Sequence, residues 1–181
     1  MPEKRPIPNV RKVVAVSSAK GGVGKSTIAV NVALAAARKG ISTGILDTDI
    51  YGPSIPTLLN VRGPPSVRAR VIKKLVAATD MRTQLEGIEP ELDTNNRLVP
   101  LTSYGIKAMS MGSLVPQDSP IAWRGLMIQK AMNQLLFEVA WPKLDLLVLD
   151  LPPGTGDVQL TLTQSIELEG RCQKFLGLHI N

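Results

Sequence analysis

Ser18-Ala-Lys-Gly-Gly-Val-Gly-Lys-Ser-Thr27 joins two stretches of different character. The β-branched run at residues 12–17 before it predicts a buried strand, and the Ala-rich run at residues 26–39 after it predicts a helix that Gly40 ends at the C′ position. Glycines let backbone N–H groups curve around phosphate oxygens, and a helix N-terminus adds unpaired donors and the positive end of a dipole. The segment therefore predicts a phosphate-binding loop between a strand and a helix.

Two lysines give this loop its charge. Lys25 is expected to face the β and γ phosphates of a nucleotide, and the hydroxyl of Ser26 is a candidate Mg²⁺ ligand. Ala19 stands where the standard phosphate-loop pattern has glycine, and Lys20 is a second lysine before the glycine pair. The alternative is a glycine-rich turn whose lysines are accidental. The predicted nucleotide contacts in the loop are Gly21, Gly22, Val23, Gly24, Lys25, Ser26 and Thr27.

Two carboxylates lie at the carboxyl end of the second predicted strand, at residues 43–47: Asp47 is its last residue, and Asp49 follows it. Carboxylates at the carboxyl end of a strand in a doubly wound sheet point into the ligand crevice. Asp49 is therefore expected to hold an attacking water, and Asp47 is expected to assist at the metal. For each of these aspartates the alternative is a turn or a cap, which aspartate forms readily.

A third motif is the apolar run Leu146-Leu-Val-Leu-Asp150, followed by Leu-Pro-Pro-Gly-Thr-Gly-Asp157. An apolar strand that ends in one aspartate is typical of a Walker B strand, so Asp150 is expected to hold Mg²⁺ through water. Gly154 is expected to present its backbone N–H to the γ-phosphate. The predicted catalytic residues are Lys20 and Asp49, and the predicted metal-binding residues are Ser26, Asp47 and Asp150.

Strand and helix signals also alternate along the rest of the chain. Residues 104–111 predict a weaker strand, residues 124–139 predict an amphipathic helix, and residues 144–150 predict a fully apolar strand. Buried strands separated by helices indicate a parallel sheet that is covered on both faces. The predicted fold is α/β: a three-layer, mostly parallel sheet of the P-loop NTPase kind, truncated on its C-terminal side.

Length and composition indicate one globular domain, since the chain has 181 residues, 44% hydrophobic and 20% charged, with a net charge of +6 and one cysteine. Its predicted parts are a basic tail at residues 1–11, a nucleotide-binding domain at 12–170 with a long charged loop at 62–97, and a tail at 171–181. Aromatic residues are 3% of the chain, too few to stack single-stranded nucleic acid, and the apolar runs are too short to span a bilayer. We expect neither a nucleic-acid partner nor an integral membrane contact.

With these motifs in order, the chain resembles the Mrp/Nbp35 family of nucleotide-binding iron–sulfur carriers, within the MinD/ParA-like class. The matching motifs are Lys20-Gly-Gly-Val-Gly-Lys-Ser26, Asp47-Thr-Asp-Ile-Tyr-Gly-Pro-Ser54, Met109-Ser-Met-Gly112, Trp123-Arg-Gly125 and Asp150-Leu-Pro-Pro-Gly-Thr-Gly-Asp157. The resemblance implies a homodimer that sandwiches ATP, hydrolyses it slowly, and uses Lys20 to reach phosphates across the dimer. It also implies transfer of a bridging [4Fe–4S] cluster to acceptor proteins. The mitochondrial branch of the family, which serves respiratory complex I, implies the mitochondrial matrix, with the cytoplasm as the alternative.

The sequence departs from this family in ways that bear on function. Residues 69–91 look inserted, and the Cys-x-x-Cys pair that holds the family's cluster is absent from these 181 residues. A [4Fe–4S] cluster takes four thiolates, whereas Cys172 is the one cysteine that each chain offers. We therefore expect no iron–sulfur ligand set in this chain. The alternative functions are a MinD/ParA-type partitioning ATPase and a truncated product without cluster-transfer activity, and whether the chain acts as an ATPase enzyme stays open.

Overall fold

The structure, a computed structural model, describes residues 4–49, 52–60, 97–111, 125–154, 159, 165, 166 and 170–174. Its elements, in chain order, are β1 (Val10–Ser18), α1 (Lys25–Arg38), β2 (Thr43–Asp47), α2 (Ile55–Leu58), β3 (Leu101–Ser103), β4 (Ile106–Ser110), α3 (Gly125–Phe137), β5 (Leu144–Asp150) and β6 (Gly170–Lys174). The elements that the sequence predicts on either side of the phosphate loop, and the later helix and apolar strand, lie within about two residues of their predicted bounds.

The strands form a six-stranded sheet in the order β3-β4-β2-β5-β1-β6. Within this sheet β4, β2, β5, β1 and β6 are parallel, and β3 is antiparallel to β4. The predicted mostly parallel α/β sheet is therefore confirmed. Because parallel strands end at one edge, the sheet register places Asp150 beside both Val16 of β1 and Asp47 of β2. Ligand crevices in such folds open at this carboxyl edge.

The hydrophobic core lies on both faces of the sheet, as the nearly continuous apolar strands predict. In β5, Val148 belongs to the same buried cluster as Ala29 of α1. Its neighbour Leu149 belongs to a second buried cluster, which contains Leu135 of α3. Successive residues of a strand point to opposite faces, so α1 and α3 cover different sides of the sheet and form the outer layers.

Residues 104–111, which are predicted as a single strand, contain instead the turn and the second strand of a hairpin. Tyr104 and Gly105 have positive φ angles of 47° and 78°, which break the strand, and β4 begins only after them. The residues before this turn form β3, which pairs with β4 in antiparallel fashion. Strand β3 has three residues and none of them is buried, so no apolar pattern in the sequence marks it.

Both ends of the domain extend past their predicted bounds. Val10 and Arg11, which fall in the predicted basic tail, belong to β1, and Ile7 is buried in the cluster on the α3 side. Strand β6, which falls almost entirely in the predicted tail at 171–181, pairs with β1. Its sequence, GRCQK, mixes polar and apolar residues, so no alternating pattern marks it as a strand.

Of the predicted loop at residues 62–97, all but the last residue lies outside the described part of the chain. Among the described residues, no helix combines the length and the apolar character needed to cross a bilayer.

Candidate functional site

A cavity of about 930 Å³ opens between the segments that follow β1, β2 and β5. The three predicted motifs therefore meet at one site. The residues that line the cavity are Ser18, Lys20, Gly21, Gly22, Gly24, Lys25, Ser26, Thr27, Asp49, Gly52, Pro53, Ser54, Thr57, Leu58, Pro152, Pro153 and Gln159. Four of the predicted site residues are not part of this lining: Val23, Asp47, Asp150 and Gly154.

Glycines with left-handed backbone shape the phosphate loop. Gly22 and Gly24 have φ angles of 74° and 83°, a region that side chains disfavour. Gly24 immediately precedes the 14-residue helix α1, and its carbonyl oxygen accepts the N–H of Ile28 at 3.1 Å. On the strand side, the Ser18 hydroxyl donates to the carbonyl oxygen of Lys20 at 2.9 Å. The loop thus has the backbone form of an anion-binding nest at a helix N-terminus.

Lys25 and Asp150 form a buried ion pair that links this loop to the end of β5. Lys25 Nζ lies 2.5 Å from Asp150 Oδ1, and the two side chains are 7% and 0% exposed. Lys25 Nζ also donates to the Ser26 hydroxyl oxygen at 3.3 Å. Burial raises the pKa of Asp150 above its ordinary value, and the Lys25 ammonium opposes that rise. The structure therefore brings three of the predicted site residues into direct contact.

The second carboxylate oxygen of Asp150 is a candidate point of contact with a metal ion. Within the described part of the chain, Oδ2 is buried and has no hydrogen-bond partner. An unsatisfied buried polar atom needs a reason, and a magnesium ion with its bound waters is one, because Mg²⁺ takes oxygen ligands. The Ser26 hydroxyl is close by, since the same Lys25 ammonium contacts both side chains. Ser26 and Asp150 therefore fit the predicted metal role.

Asp47 is fully buried, and both of its carboxylate oxygens accept hydrogen bonds. Oδ1 accepts the N–H of Asp49 at 3.0 Å. Oδ2 accepts the N–H of Ser54 at 3.1 Å, the N–H of Ile55 at 3.2 Å and the Ser110 hydroxyl at 3.1 Å. Burial raises the pKa of Asp47 to about 6, against the lowering effect of its hydrogen-bond donors. These contacts are those of a turn and cap former, so the described contacts of Asp47 do not support the predicted role at the metal.

Asp49 lies on the cavity side of the same segment. Its side chain is half-buried, and Oδ1 accepts the N–H of Gly52 at 3.1 Å. Its charge helps to raise the pKa of Asp150, so the two carboxylates are within electrostatic reach of each other. Asp49 also shares the cavity lining with Lys20 and Lys25. This position suits the predicted role of holding a water next to a bound phosphate.

Gly154 makes a different contact from the predicted one. Its backbone N–H donates to the carbonyl oxygen of Ser18 at 2.9 Å, and its φ angle is 98°. This bond ties the segment after β5 to the end of β1. The N–H is therefore engaged inside the protein, and the predicted contact with a γ-phosphate requires this hydrogen bond to break.

Sequence reasoning missed part of the site. Thr57 and Leu58 line the cavity from α2, a four-residue helix that follows the carboxylate segment. Gln159 also lines the cavity, and its side-chain amide donates to the carbonyl oxygen of Pro152. Ser110, the partner of Asp47, did carry a signal, because it lies in the motif Met109-Ser-Met-Gly112, to which no role was assigned.

A protein-family model described as "ParA: NUBPL iron-transfer P-loop NTPase" matches residues 9–172 of the chain. The chain belongs to this family. The iron-sulfur cluster transfer protein NUBPL of Mus musculus is 47% identical over 172 residues, which are 94% of this chain and 46% of that protein. The iron-sulfur cluster carrier protein of Aquifex aeolicus is 44% identical over 168 residues, which are 92% of this chain and 40% of that protein. The chain thus spans roughly half the length of these relatives.

A solved structure also resembles this chain. The nucleotide-binding protein of Archaeoglobus fulgidus in complex with ADP is 32% identical, with a TM-score of 0.65 over 92% of this chain and 55% of that one. This similarity and the family match confirm the predicted P-loop NTPase fold and the resemblance to iron–sulfur carriers. The family model is described by iron transfer, and these two relatives are named for iron–sulfur clusters.

Proposed function

We propose that this chain is the ATP-binding part of an iron–sulfur cluster carrier and assembly protein that hydrolyses ATP slowly. The observation that carries the proposal is the buried Lys25–Asp150 pair, which joins a phosphate loop to the strand end where phosphoryl-transfer proteins hold their metal. The family and the names of its relatives support iron–sulfur clusters as the cargo.

Nucleotide binding follows from the charges and donors at one end of the cavity. Lys25 offers an ammonium to the β and γ phosphates, and the loop around Gly22 and Gly24 offers backbone N–H groups. Ser26 and Asp150 are the residues that would hold Mg²⁺, which when bound supplies positive charge to the phosphates. Lys25 then exchanges its present carboxylate partner for phosphate oxygens.

Hydrolysis needs a water aligned with the bond between the γ-phosphorus and its bridging oxygen. Asp49 is proposed to accept a hydrogen bond from that water and so to orient it, because its carboxylate lines the cavity beside the phosphate loop. Lys25, together with Lys20, neutralises the negative charge that develops as the bridging bond breaks.

A homodimer is part of the proposal. Lys20 is exposed at the rim of the cavity, a position from which its ammonium can reach the nucleotide held by a second copy of the chain. Such a contact completes each site with a positive charge from the other protomer. It also makes ATP hydrolysis depend on dimer formation.

The cluster is the cargo of the proposed carrier, and iron–sulfur acceptor proteins are its partners. The [4Fe–4S] type rests on the family resemblance, and a full ligand set for it is not found among these residues, of which one is cysteine. The mitochondrial matrix, with complex I as the destination, is the proposed location, and similarity to bacterial carriers keeps the cytoplasm as the alternative.

Calorimetry of the chain with ATP and Mg²⁺ tests the nucleotide-binding part of this proposal. We expect the parent chain to bind ATP and Lys25→Ala to bind none, because that substitution removes the cation that faces two phosphates. Lys39→Ala, at an exposed position after α1, is the matched control and should bind like the parent. Equal affinity in Lys25→Ala and the parent would refute the phosphate-loop assignment.

A further inference from the structure

The carboxylate of Asp47, at the end of β2, forms hydrogen bonds with strand β4 and with the segment that connects β2 to α2. It accepts the N–H of Asp49 near the start of this segment, and the N–H groups of Ser54 and Ile55 at its end. It also accepts the hydroxyl of Ser110, which lies at the end of β4. One buried side chain thus holds both ends of the segment and ties them to the neighbouring strand.

The sheet itself brings the two side chains together. Asp47 and Ser110 are cross-strand partners at the carboxyl ends of the parallel strands β2 and β4. Both residues are buried, with 0% and 2% of their surface exposed. Parallel pairing therefore fixes their distance independently of any ligand in the cavity.

The carboxylate of Asp47 forms hydrogen bonds with protein groups and is not part of the cavity lining. Three protein donors address Oδ2 of Asp47 and one addresses Oδ1. Asp47 does not line the cavity, whereas Asp49, whose backbone it holds, does. Asp47 can therefore act on chemistry in the cavity through the segment that carries Asp49, and its charge also acts directly on that of Asp150.

We propose that Asp47 and Ser110 form a positioning pair that holds Asp49 at the cavity for its role in ATP hydrolysis. The catalytic part of this inference rests on the proposed function, and the structural part does not. Ser110, on β4, donates a hydrogen bond that holds the Asp47 carboxylate in place. The carboxylate in turn accepts peptide N–H groups at both ends of the segment. These hydrogen bonds hold Asp49 at the cavity. The role also gives Ser110, within the Met109-Ser-Met-Gly112 motif, a physical purpose.

The structural part is tested on the nucleotide-free chain by amide hydrogen exchange, measured with NMR. In Ser110→Ala the carboxylate loses one anchor, so the amides of Asp49, Ser54 and Ile55 should exchange about fivefold faster than in the parent. Ser110→Thr keeps a hydroxyl at this position and should restore slow exchange. Asp47→Asn removes an acceptor from these amides and should have the larger effect, about tenfold.

Ser103→Ala is the matched control for this experiment. The Ser103 hydroxyl donates to the carbonyl oxygen of Leu59, at the other end of α2, at 2.6 Å. The control therefore removes a serine anchor of the same helix without touching Asp47, and it should leave the three amides as slow as in the parent. Exchange that is unchanged in Ser110→Ala, or equally accelerated in Ser103→Ala, would overturn the positioning pair.

The catalytic part is tested by steady-state ATP hydrolysis. Ser110→Ala should lower kcat about fivefold and leave KM and the Kd for ATP unchanged, because the phosphate loop keeps all of its contacts. Ser110→Thr should recover kcat. An equal kcat in Ser110→Ala and the parent, despite faster amide exchange, would overturn the catalytic role of the pair. A parent chain that binds no ATP would instead refute the proposed function, and the exchange experiment would still decide the structural part.

Discussion

Lys25 Nζ and Asp150 Oδ1 lie 2.5 Å apart although 125 positions separate the two residues in sequence. Both side chains are buried, so each charge is the principal compensation for the other. Removing one partner of such a pair leaves a buried charge uncompensated, whereas removing both charges is nearly neutral. Because of this asymmetry, the coupling energy between the two charges can be measured by unfolding experiments without any ligand.

We predict that Lys25→Met lowers the free energy of unfolding by about 3 kcal/mol in the absence of nucleotide. Asp150→Asn, added to Lys25→Met, should recover most of that loss because the buried charge is then gone. Urea denaturation of the parent, the two single variants and the double variant measures the coupling. A double variant no more stable than Lys25→Met alone would contradict the ion-pair argument.

The sequence was sufficient to predict the phosphate loop and the Asp150 strand, because each is a local pattern with its own physical meaning. A glycine-rich turn between a β-branched run and an Ala-rich run can be recognised without any distant residue. The same holds for an apolar strand that ends in one carboxylate. The strands β1 and β5 follow from these patterns, whereas their order in the sheet comes from the structure.

The local contacts of Asp47, with the N–H groups of Asp49, Ser54 and Ile55, are those of the turn or cap that the sequence left as the alternative. Its contact with Ser110 could not be predicted in this way, because Ser110 lies 63 positions later and becomes a neighbour only through parallel pairing of β2 and β4.

The strands β3 and β6 were missed for another reason, since both are short and of mixed polarity, so that their sequences carry no alternating pattern. Gly154 was predicted to face a γ-phosphate, whereas its hydrogen bond to Ser18 is a tertiary contact that no motif specifies.

Gly44 is a packing site in the middle of β2, and we predict that Gly44→Ala destabilises the fold by about 2 kcal/mol. A Cβ atom there would lie 2.7 Å from Leu144 Cδ1 and 3.3 Å from Trp141 Cζ3, atoms of buried side chains. Combination with Leu144→Ala should cost less than the sum of the two single changes, because the smaller side chain makes room. Denaturant unfolding measures this, and strict additivity would argue against the clash.

Asp49 and Asp150 have different surroundings, and we predict different roles for them. Asp49→Asn should keep ATP bound but slow hydrolysis by about 10²-fold or more, on the order of 3 kcal/mol of barrier. Asp150→Asn should instead weaken the dependence of binding and hydrolysis on Mg²⁺. A magnesium titration of ATP hydrolysis separates these outcomes.

Asp145→Asn is the matched control for that titration, because Asp145 is an exposed carboxylate at the opposite end of β5. It should behave as the parent does at every magnesium concentration. If Asp49→Asn and Asp150→Asn give the same magnesium curve, the separation of their roles is wrong.

Lys20→Ala should affect ATP binding mildly and ATP turnover severely if Lys20 acts across a homodimer. Mixing Lys20→Ala chains with Lys25→Ala chains gives a sharp test. In a mixed dimer, the site with an intact Lys25 also receives an intact Lys20 from the other chain, so activity should reappear on mixing. If Lys20 acted within its own chain, neither site would be complete and the mixture would stay inactive.

The last prediction concerns the cluster. The 181-residue chain, treated anaerobically with iron and sulfide, should hold no stable [4Fe–4S] cluster, because Cys172 is its one cysteine and a dimer supplies half of the four thiolates. Iron counting and visible absorbance after gel filtration measure this. A chain extended by the Cys-x-x-Cys pair that the family resemblance implies is the positive control, and it should hold about one cluster per dimer. A cluster that persists in the 181-residue chain and survives Cys172→Ala would refute the ligand count, whereas one that disappears in Cys172→Ala would make Cys172, in strand β6, a ligand in its own right.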